Sequence, residues 1–484
     1  MYEASVWATG AVLLMAGFFA YRRYGDPVHP LILVGPFFFY GYFYIPMVFQ
    51  SLGGMERYLE PSQLTFVGMV YLGGVLAFCV GCLMVPRAAG RGWGDFLSRI
   101  EGHPLLQQRF RLAAWILWLG ATAVNIYVIQ SGGGFRRVFA RTKAYVSLSS
   151  GYIGDLPAVA HIAVFLYALS LRNKRVGLRH LFVFFVMEAF GFLGGTIGGR
   201  RGLLFVSFLT VCMGWFIARG TRLKLHHALL AALLAGIGVL FVQSQRQTFL
   251  RLGSGYSFQQ DSFVEAIFPK SVNPNVFYMV GGARMVSARE TGHYGWGESL
   301  ARNLLARPIP HQLWPGQYES IEELWKSLRG YSMHSVGGSR YAGWRPSGGT
   351  STGGIAAAFT EFSWGALLVF FLLGQMYGRF WRNFRSRGGV WTLLYGASVA
   401  VSPYLPTQSL AGAYLYRLLL LCVPSYVVWQ LFIQPYWLRA SSQLSGAAET
   451  RTEEAQSNER RAQEPETSPG ARRPSGELED MTRE

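Results

Sequence analysis

Arginine set among glycines and aromatic rings is the chemistry-bearing side chain of this sequence. The segment Gly194-Gly195-Thr196-Ile197-Gly198-Gly199-Arg200-Arg201-Gly202 puts two guanidinium groups on a backbone with almost no side-chain bulk. A second group, Arg136, Arg137, Arg141 and Lys143, is opposed only by Asp155 between residues 132 and 155. The long hydrophilic stretch 244–353 holds eleven Lys or Arg against seven Asp or Glu, with Arg340 and Arg345 flanking Tyr341 and Trp344. Guanidinium keeps its proton and matches phosphate oxygens in a planar, bidentate fashion, so these groups point to a phosphate or pyrophosphate. Pairing with lipid headgroups or with the acids of the long stretch is the plainer alternative. The glycine setting of Arg200 and Arg201 favours the first reading.

Proton transfer has fewer candidates. His334, in Ser332-Met333-His334-Ser335 and close in sequence to Arg340 and Arg345, has the residue type of a general base near neutral pH. His293 and His311 are the other histidines of the stretch, and any of the three can equally be an ordinary surface residue. Glu188 and Glu361 lie in or at the edge of apolar runs, where an ionisable group is costly and often functional. Arg417 is a possible partner for one of them, and Glu188 reads best as half of a structural ion pair. No acidic pair suited to a divalent metal and no Gly-x-x-x-x-Gly-Lys loop occurs, so neither metal nor cofactor is expected.

The elements that must position these groups are membrane helices. Of 484 residues 51% are apolar and 14% charged, yet the net charge is +18. That combination predicts an all-α polytopic membrane protein. A span takes about twenty apolar residues, and about eleven stretches qualify: 4–21, 29–52, 64–86, 111–130, 156–171, 180–197, 202–218, 228–244, 354–378, 390–405 and 411–433. The four cysteines fall inside these runs and read as small buried hydrophobes. Arg22 and Arg23, the arginines of 87–111, the basic group of 172–179, that of 219–224 and that of 379–387 occupy alternate connections. By the positive-inside rule they are cytoplasmic. The loop 132–155, the turn at Arg200 and the large loop 244–353 then share the opposite, periplasmic face, all within a membrane domain spanning 1–435. Residues 436–484 have the composition of a disordered cytoplasmic tail. With the positive loops facing lipid or the outside, nucleic acid is not an expected partner.

Three stretches resemble the oligosaccharide repeat-unit polymerases, the Wzy-type or O-antigen polymerase group. Gly198-Gly199-Arg200-Arg201-Gly202-Leu203-Leu204 is similar to that family's Gly-Ser-Arg-Gly turn, with Arg200 where a small residue is usual. Ile309-Pro310-His311-Gln312-Leu313-Trp314-Pro315 is similar to its Pro-Arg-x-x-x-Pro segment, with His311 in place of the arginine. The stretch from Pro346 to Gly374, with Gly353-Gly354 and Glu361-Phe362-Ser363-Trp364-Gly365, resembles the end of its large loop. Arg284 and Gly295 also satisfy an Arg-x10-Gly spacing described for some members.

The resemblance covers roughly Gly132 to Pro435. It implies a membrane-embedded, GT-C-like, metal-independent inverting glycosyltransferase of the bacterial inner membrane. Its donor and acceptor would be oligosaccharides on undecaprenyl pyrophosphate, and a chain-length regulator and export machinery would be further partners. Arg201, with Arg200, Arg340 and Arg345, would stabilise the departing pyrophosphate, and His334, or failing it Glu361, would take the acceptor proton. Arg136, Arg137 and Arg141 would hold the second carrier's pyrophosphate. Trp314, Tyr318, Tyr341 and Trp344 would stack on sugar faces. An O-antigen ligase is the nearest alternative, and a transporter or flippase of lipid-linked oligosaccharide the next.

Overall fold

A computed structural model describes residues 1–86, 92–134, 153, 155–172, 174–196, 201–219, 271–309, 312–331, 344 and 351–439. The chain divides into two units, 1–435 and 436–484, the second contributing only residues 436–439 to the description. Every regular element among the described residues is a helix, as expected where lipid cannot satisfy backbone polar groups.

Nine of the eleven apolar stretches lie wholly among the described residues, a tenth does so up to residue 196, and all ten are helical over most of their length. Residues 228–244 lie outside. Six helices are long and apolar enough to cross a membrane: Tyr2–Tyr24, Pro61–Leu83, Pro104–Ser131, Gly202–Arg219, Gly354–Arg387 and Leu410–Arg439. Leu178–Met187 and Ala189–Gly195 satisfy the same test as a pair bent by 61°, and Leu156–Ser170 is apolar but shorter. The chain is a multi-pass membrane protein. Large apolar side chains stay exposed along these helices, among them Leu14, Phe18, Leu119, Leu368 and Leu372, the surface that lipid would cover.

We label the helices used below α1 (Tyr2–Tyr24), α2 (Pro61–Leu83), α3 (Gly92–Gly102), α4 (Pro104–Ser131), α5 (Ala160–Ser170), α6 (Leu178–Met187), α7 (Ala189–Thr196), α8 (Arg201–Arg219), α9 (Phe277–Thr291), α10 (Gln317–Arg329), α11 (Gly354–Phe362), α12 (Ala366–Arg387), α13 (Val390–Val401) and α14 (Tyr416–Val428). Local sequence explains many boundaries. Proline opens α2 and α4, where its missing N–H costs nothing, and Glu60 with Gln63 closes a reciprocal capping box on α2. α1 ends on Arg22 and Arg23 and a left-handed Gly25. The apolar run 29–52 is broken at Val34, before Pro36, and widens into a π turn at Tyr40–Tyr44 ahead of Pro46. Both interruptions accommodate prolines that cannot donate to the helix ladder.

Small residues let the helices touch. A Cβ on Gly81 of α2 would sit 2.3 Å from the Phe371 carbonyl oxygen of α12, and one on Gly374 would sit 2.3 Å from that of Phe78. Close backbone approach of this kind replaces the hydrophobic effect as the association force in lipid.

The polar contacts gather at two opposite ends of the helices. At one, Asp26 accepts hydrogen bonds from Trp381 Nε1 at 2.9 Å and pairs with Arg385 at 2.9 Å. Arg23 and Tyr24 donate to the Leu83 carbonyl, Arg172 pairs with Glu101, and Phe96 of α3 packs on Gly388. This end therefore joins the basic connections that follow α1, α2, α5 and α12. At the other end Gln63 donates to Glu290 at 3.0 Å, Tyr2 meets Tyr278 at 2.9 Å, and Trp344 lies against Tyr58. The described parts of the stretch 244–353 lie here, and they include the helices α9 and α10.

Candidate functional site

The end that carries α9 and α10 is built around two charge clusters, one buried and one half-buried. The first holds the turn His293 to Leu300 in place. Glu361, the penultimate residue of α11, is buried and its carboxylate accepts the Gly297 N–H at 2.9 Å and hydrogen bonds from Ser299. Its own carbonyl accepts the Trp296 N–H at 2.7 Å, and the Thr360 carbonyl accepts that of Gly295. A Cβ on Gly295 would stand 2.6 Å from the Glu361 carboxyl, so only glycine fits there. Next to it, buried Glu298 pairs with Arg329 and with Arg302, and Arg329 also donates to the carbonyls of Tyr294, Gly295 and Trp325. His293 stacks on Tyr331 at 4.1 Å. Every carboxylate and guanidinium of this cluster is engaged, which makes it a scaffold for the turn.

The second cluster has charge to spare. Asp155, at the end of the smaller loop, pairs with Arg307 and lies 3.8 Å from Arg417. Arg307 donates to the Gly412 carbonyl at 3.1 Å and lies over the Tyr416 ring at 4.1 Å; Arg417 donates to the Ala413 carbonyl and lies over Tyr404 at 4.4 Å. Among the described residues two half-buried guanidiniums thus share one carboxylate, with phenol rings on their faces. Gly202 belongs to this cluster by packing, because a Cβ there would fall 2.4 Å from the Tyr404 ring. Arg201 begins α8 one residue earlier, so its backbone adjoins the glycine that packs on Tyr404. Two π-helical turns, Ala301–Ala306 and Leu410–Leu415, flank the cluster, a distortion common at functional sites.

The glycines Gly353 and Gly354 have a packing task. Gly353 adopts φ +73°, and a Cβ on Gly354 would lie 2.1 Å from the Leu405 carbonyl oxygen, so α11 starts with its backbone pressed on the turn 404–407.

Several predicted residues fall outside the described set: the side chain of Arg201, and Arg136, Arg137, Arg141, Arg200, His311, His334, Arg340, Tyr341 and Arg345. Trp314 packs with Tyr318 and Trp325 on Ala301, Ala306 and Ile321, half-buried beside the second cluster. Trp344 meets Tyr58 at 5.4 Å. Glu361 is committed to the turn.

The expected pairing of Arg417 with Glu188 or Glu361 is corrected: Arg417 turns to Asp155, while Glu188 pairs with His161 at 2.7 Å. Glu188 stands at the 61° break between α6 and α7, with Thr210 3.4 Å from the same imidazole nitrogen and the buried Ser207 hydroxyl unpartnered. It is the interhelical pair expected of it.

Sequence reading missed Asp155, Arg307, Tyr404 and Tyr416 as members of one site, because their sequence separations exceed any motif. It also passed over Arg284, matched only by spacing. Arg284 lies on α9, its Nε is buried with no hydrogen-bond partner among the described residues, and burial lowers its proton affinity. Among the described residues, no three His, Cys, Asp or Glu side chains gather as metal ligands do.

Compared with known proteins, the chain matches no family model, no curated protein and no solved structure.

Proposed function

We propose that the chain is a membrane-embedded glycosyltransferase that polymerises undecaprenyl-pyrophosphate-linked oligosaccharide repeat units at the periplasmic face of a bacterial inner membrane. The observation that carries this reading is the cluster of Arg307 and Arg417 on the single carboxylate of Asp155, beside the Gly202 turn that starts with Arg201. It lies at the end opposite the basic connections, as an outward-facing phosphate site would. About eleven passes, in a GT-C-like arrangement, complete the reading.

In the proposed step an acceptor sugar hydroxyl attacks the anomeric carbon of the donor. The bond from that carbon to the lipid pyrophosphate breaks, and the leaving diphosphate carries away the electron pair. Arg201, Arg307 and Arg417 neutralise the charge that develops on it, and His334 takes the hydroxyl proton. Preorganised cations in a half-buried setting act more strongly than in water, which is the use of placing them on Tyr404 and Tyr416.

A second reading rests on a different observation. The buried His161 and Glu188 pair at a broken helix is the kind of intramembrane ionisable group that serves ion-coupled transport, and so supports a flippase of the same lipid-linked substrate. A deletion strain analysed for its surface glycan separates the two. Loss of a polymerase leaves single repeat units on the acceptor, whereas loss of a flippase leaves units facing the cytoplasm. Long chains retained on the lipid carrier would instead identify a ligase. Glu188→Gln should leave polymer amount within about twofold of wild type if glycosyl transfer is the task, and abolish it if coupled transport is.

A further inference from the structure

The opposite end of the molecule holds a concentration of positive charge for which glycosyl transfer has no use. Arg111 lies in the second turn of α4, Lys174 in the connection after α5, and Arg179 in the first turn of α6. Arg111 and Arg179 are both within electrostatic reach of Lys174 and of the Tyr167 phenol. Arg179 Nε donates to His180 Nε2 at 3.2 Å, and His180 Nδ1 meets the Tyr167 hydroxyl at 3.2 Å. Trp115, one turn beyond Arg111, packs edge-on against Tyr167 at 6.0 Å. Three helices therefore converge on one polar knot.

No carboxylate balances the knot among the described residues. Glu101 is taken by Arg172, and none of Arg111, Lys174 and Arg179 has an ion pair. Arg111 Nε is shielded from solvent and lacks a hydrogen-bond partner. Lys174 and Arg179 are exposed, and partial desolvation, then Arg111 and Arg179, lowers the proton affinity of Lys174. Like charges held together without an acid imply an anion that is absent from the protein itself. Apolar surface leads from the knot toward the middle of both helices: Leu112, Ile116 and Leu119 are exposed on α4, and Leu178 and Phe182 on α6. The ligand that matches both features is amphiphilic.

We propose that Arg111, Lys174 and Arg179 seat the phosphate of an acidic phospholipid in the leaflet at this end, with its acyl chains along Leu112, Ile116, Leu178 and Phe182. Basic pockets between transmembrane helices on the cytoplasmic side bind anionic headgroups in this way. The inference is independent of the glycosyl-transfer reading.

The test uses the full-length protein in phosphatidylcholine vesicles, with or without phosphatidylglycerol. The rate of Lys174 acetylation is followed by mass spectrometry, with exposed Lys326 of α10 at the other end as internal reference. A lysine introduced by Arg387→Lys, exposed at the same end as the knot, reports the general effect of a charged surface. In phosphatidylcholine alone Lys174 should react faster than Lys326. Phosphatidylglycerol should slow Lys174 about tenfold more than position 387, and the double variant Arg111→Gln, Arg179→Gln should lose that protection. Equal slowing at 174 and 387 would overturn the proposal, as would equal protection by inorganic phosphate in phosphatidylcholine vesicles. Should the double variant not fold, the comparison of positions 174 and 387 in the otherwise unaltered protein decides alone.

Discussion

Two carboxylates show how differently an acid can be used at one membrane end. Glu361 is saturated by backbone and Ser299 donors and leaves no room beside Gly295, whereas Asp155 is outnumbered by Arg307 and Arg417. Gly295→Ala should therefore destabilise the protein by about 1–3 kcal/mol through overpacking, read as a fall in thermal unfolding midpoint in detergent. Glu361→Gln, which keeps an acceptor oxygen, should retain polymer synthesis; abolished synthesis in a folded Glu361→Gln protein would restore that residue as the base. Arg307→Gln and Arg417→Gln should each lower the rate of glycan extension by about 10²–10³-fold, the scale seen when one preorganised charge stabiliser is removed. Rates within twofold of wild type would rule out their role at the diphosphate. At this scale the sequence was partly legible. Arg417 stood out as a charge in an apolar run, but its partner lies 262 positions earlier, and an ion pair over that separation leaves no local trace. Gly202 was read only as part of the small-residue turn that carries Arg200 and Arg201; in the structure it packs on Tyr404.

Helices were the most readable part of the chain, since apolar runs of membrane length have few other folds available. The shape within a run was harder to read. The stretch 180–197 contains no proline, yet bends by 61° at Glu188, where the pairing with His161 is a tertiary cause. The run 29–52 does contain its own cause, in Pro36 and Pro46. The association of α2 with α12 depends on Gly81 and Gly374, which read as unremarkable among 58 glycines. Gly374→Leu should drive the two backbones apart and cost about 3 kcal/mol or more, measured as loss of monodisperse protein in detergent or a large fall in midpoint. Gly120→Leu, at a position with nothing within 4 Å of the added Cβ, is the matched control and should be tolerated.

Across the whole molecule the two polar ends have opposite characters. One ties together the basic connections through Asp26, Arg385, Glu101 and Arg172, and the other carries α9, α10 and both charge clusters. The positive-inside rule predicts that the first faces the cytoplasm. Cysteines introduced by Glu56→Cys and Arg387→Cys, exposed at opposite ends, should therefore react differently with a membrane-impermeant maleimide. Position 56 should label in intact spheroplasts and position 387 only after permeabilisation; the reverse pattern would invert the orientation. The four native cysteines are free but sit within apolar helices, so they give a quiet background.

The contacts of Asp155 also set an order of events during synthesis. Arg307 follows Asp155 by 152 residues, and Arg417 lies on α14, which emerges after α13. A ribosome that has made everything up to α13 has delivered one arginine of the pair but not the other. The nascent chain would carry a half-assembled ion cluster until α14 inserts. Chains halted just short of Arg417 should accordingly be recognised and degraded, while chains halted just after α14 should persist.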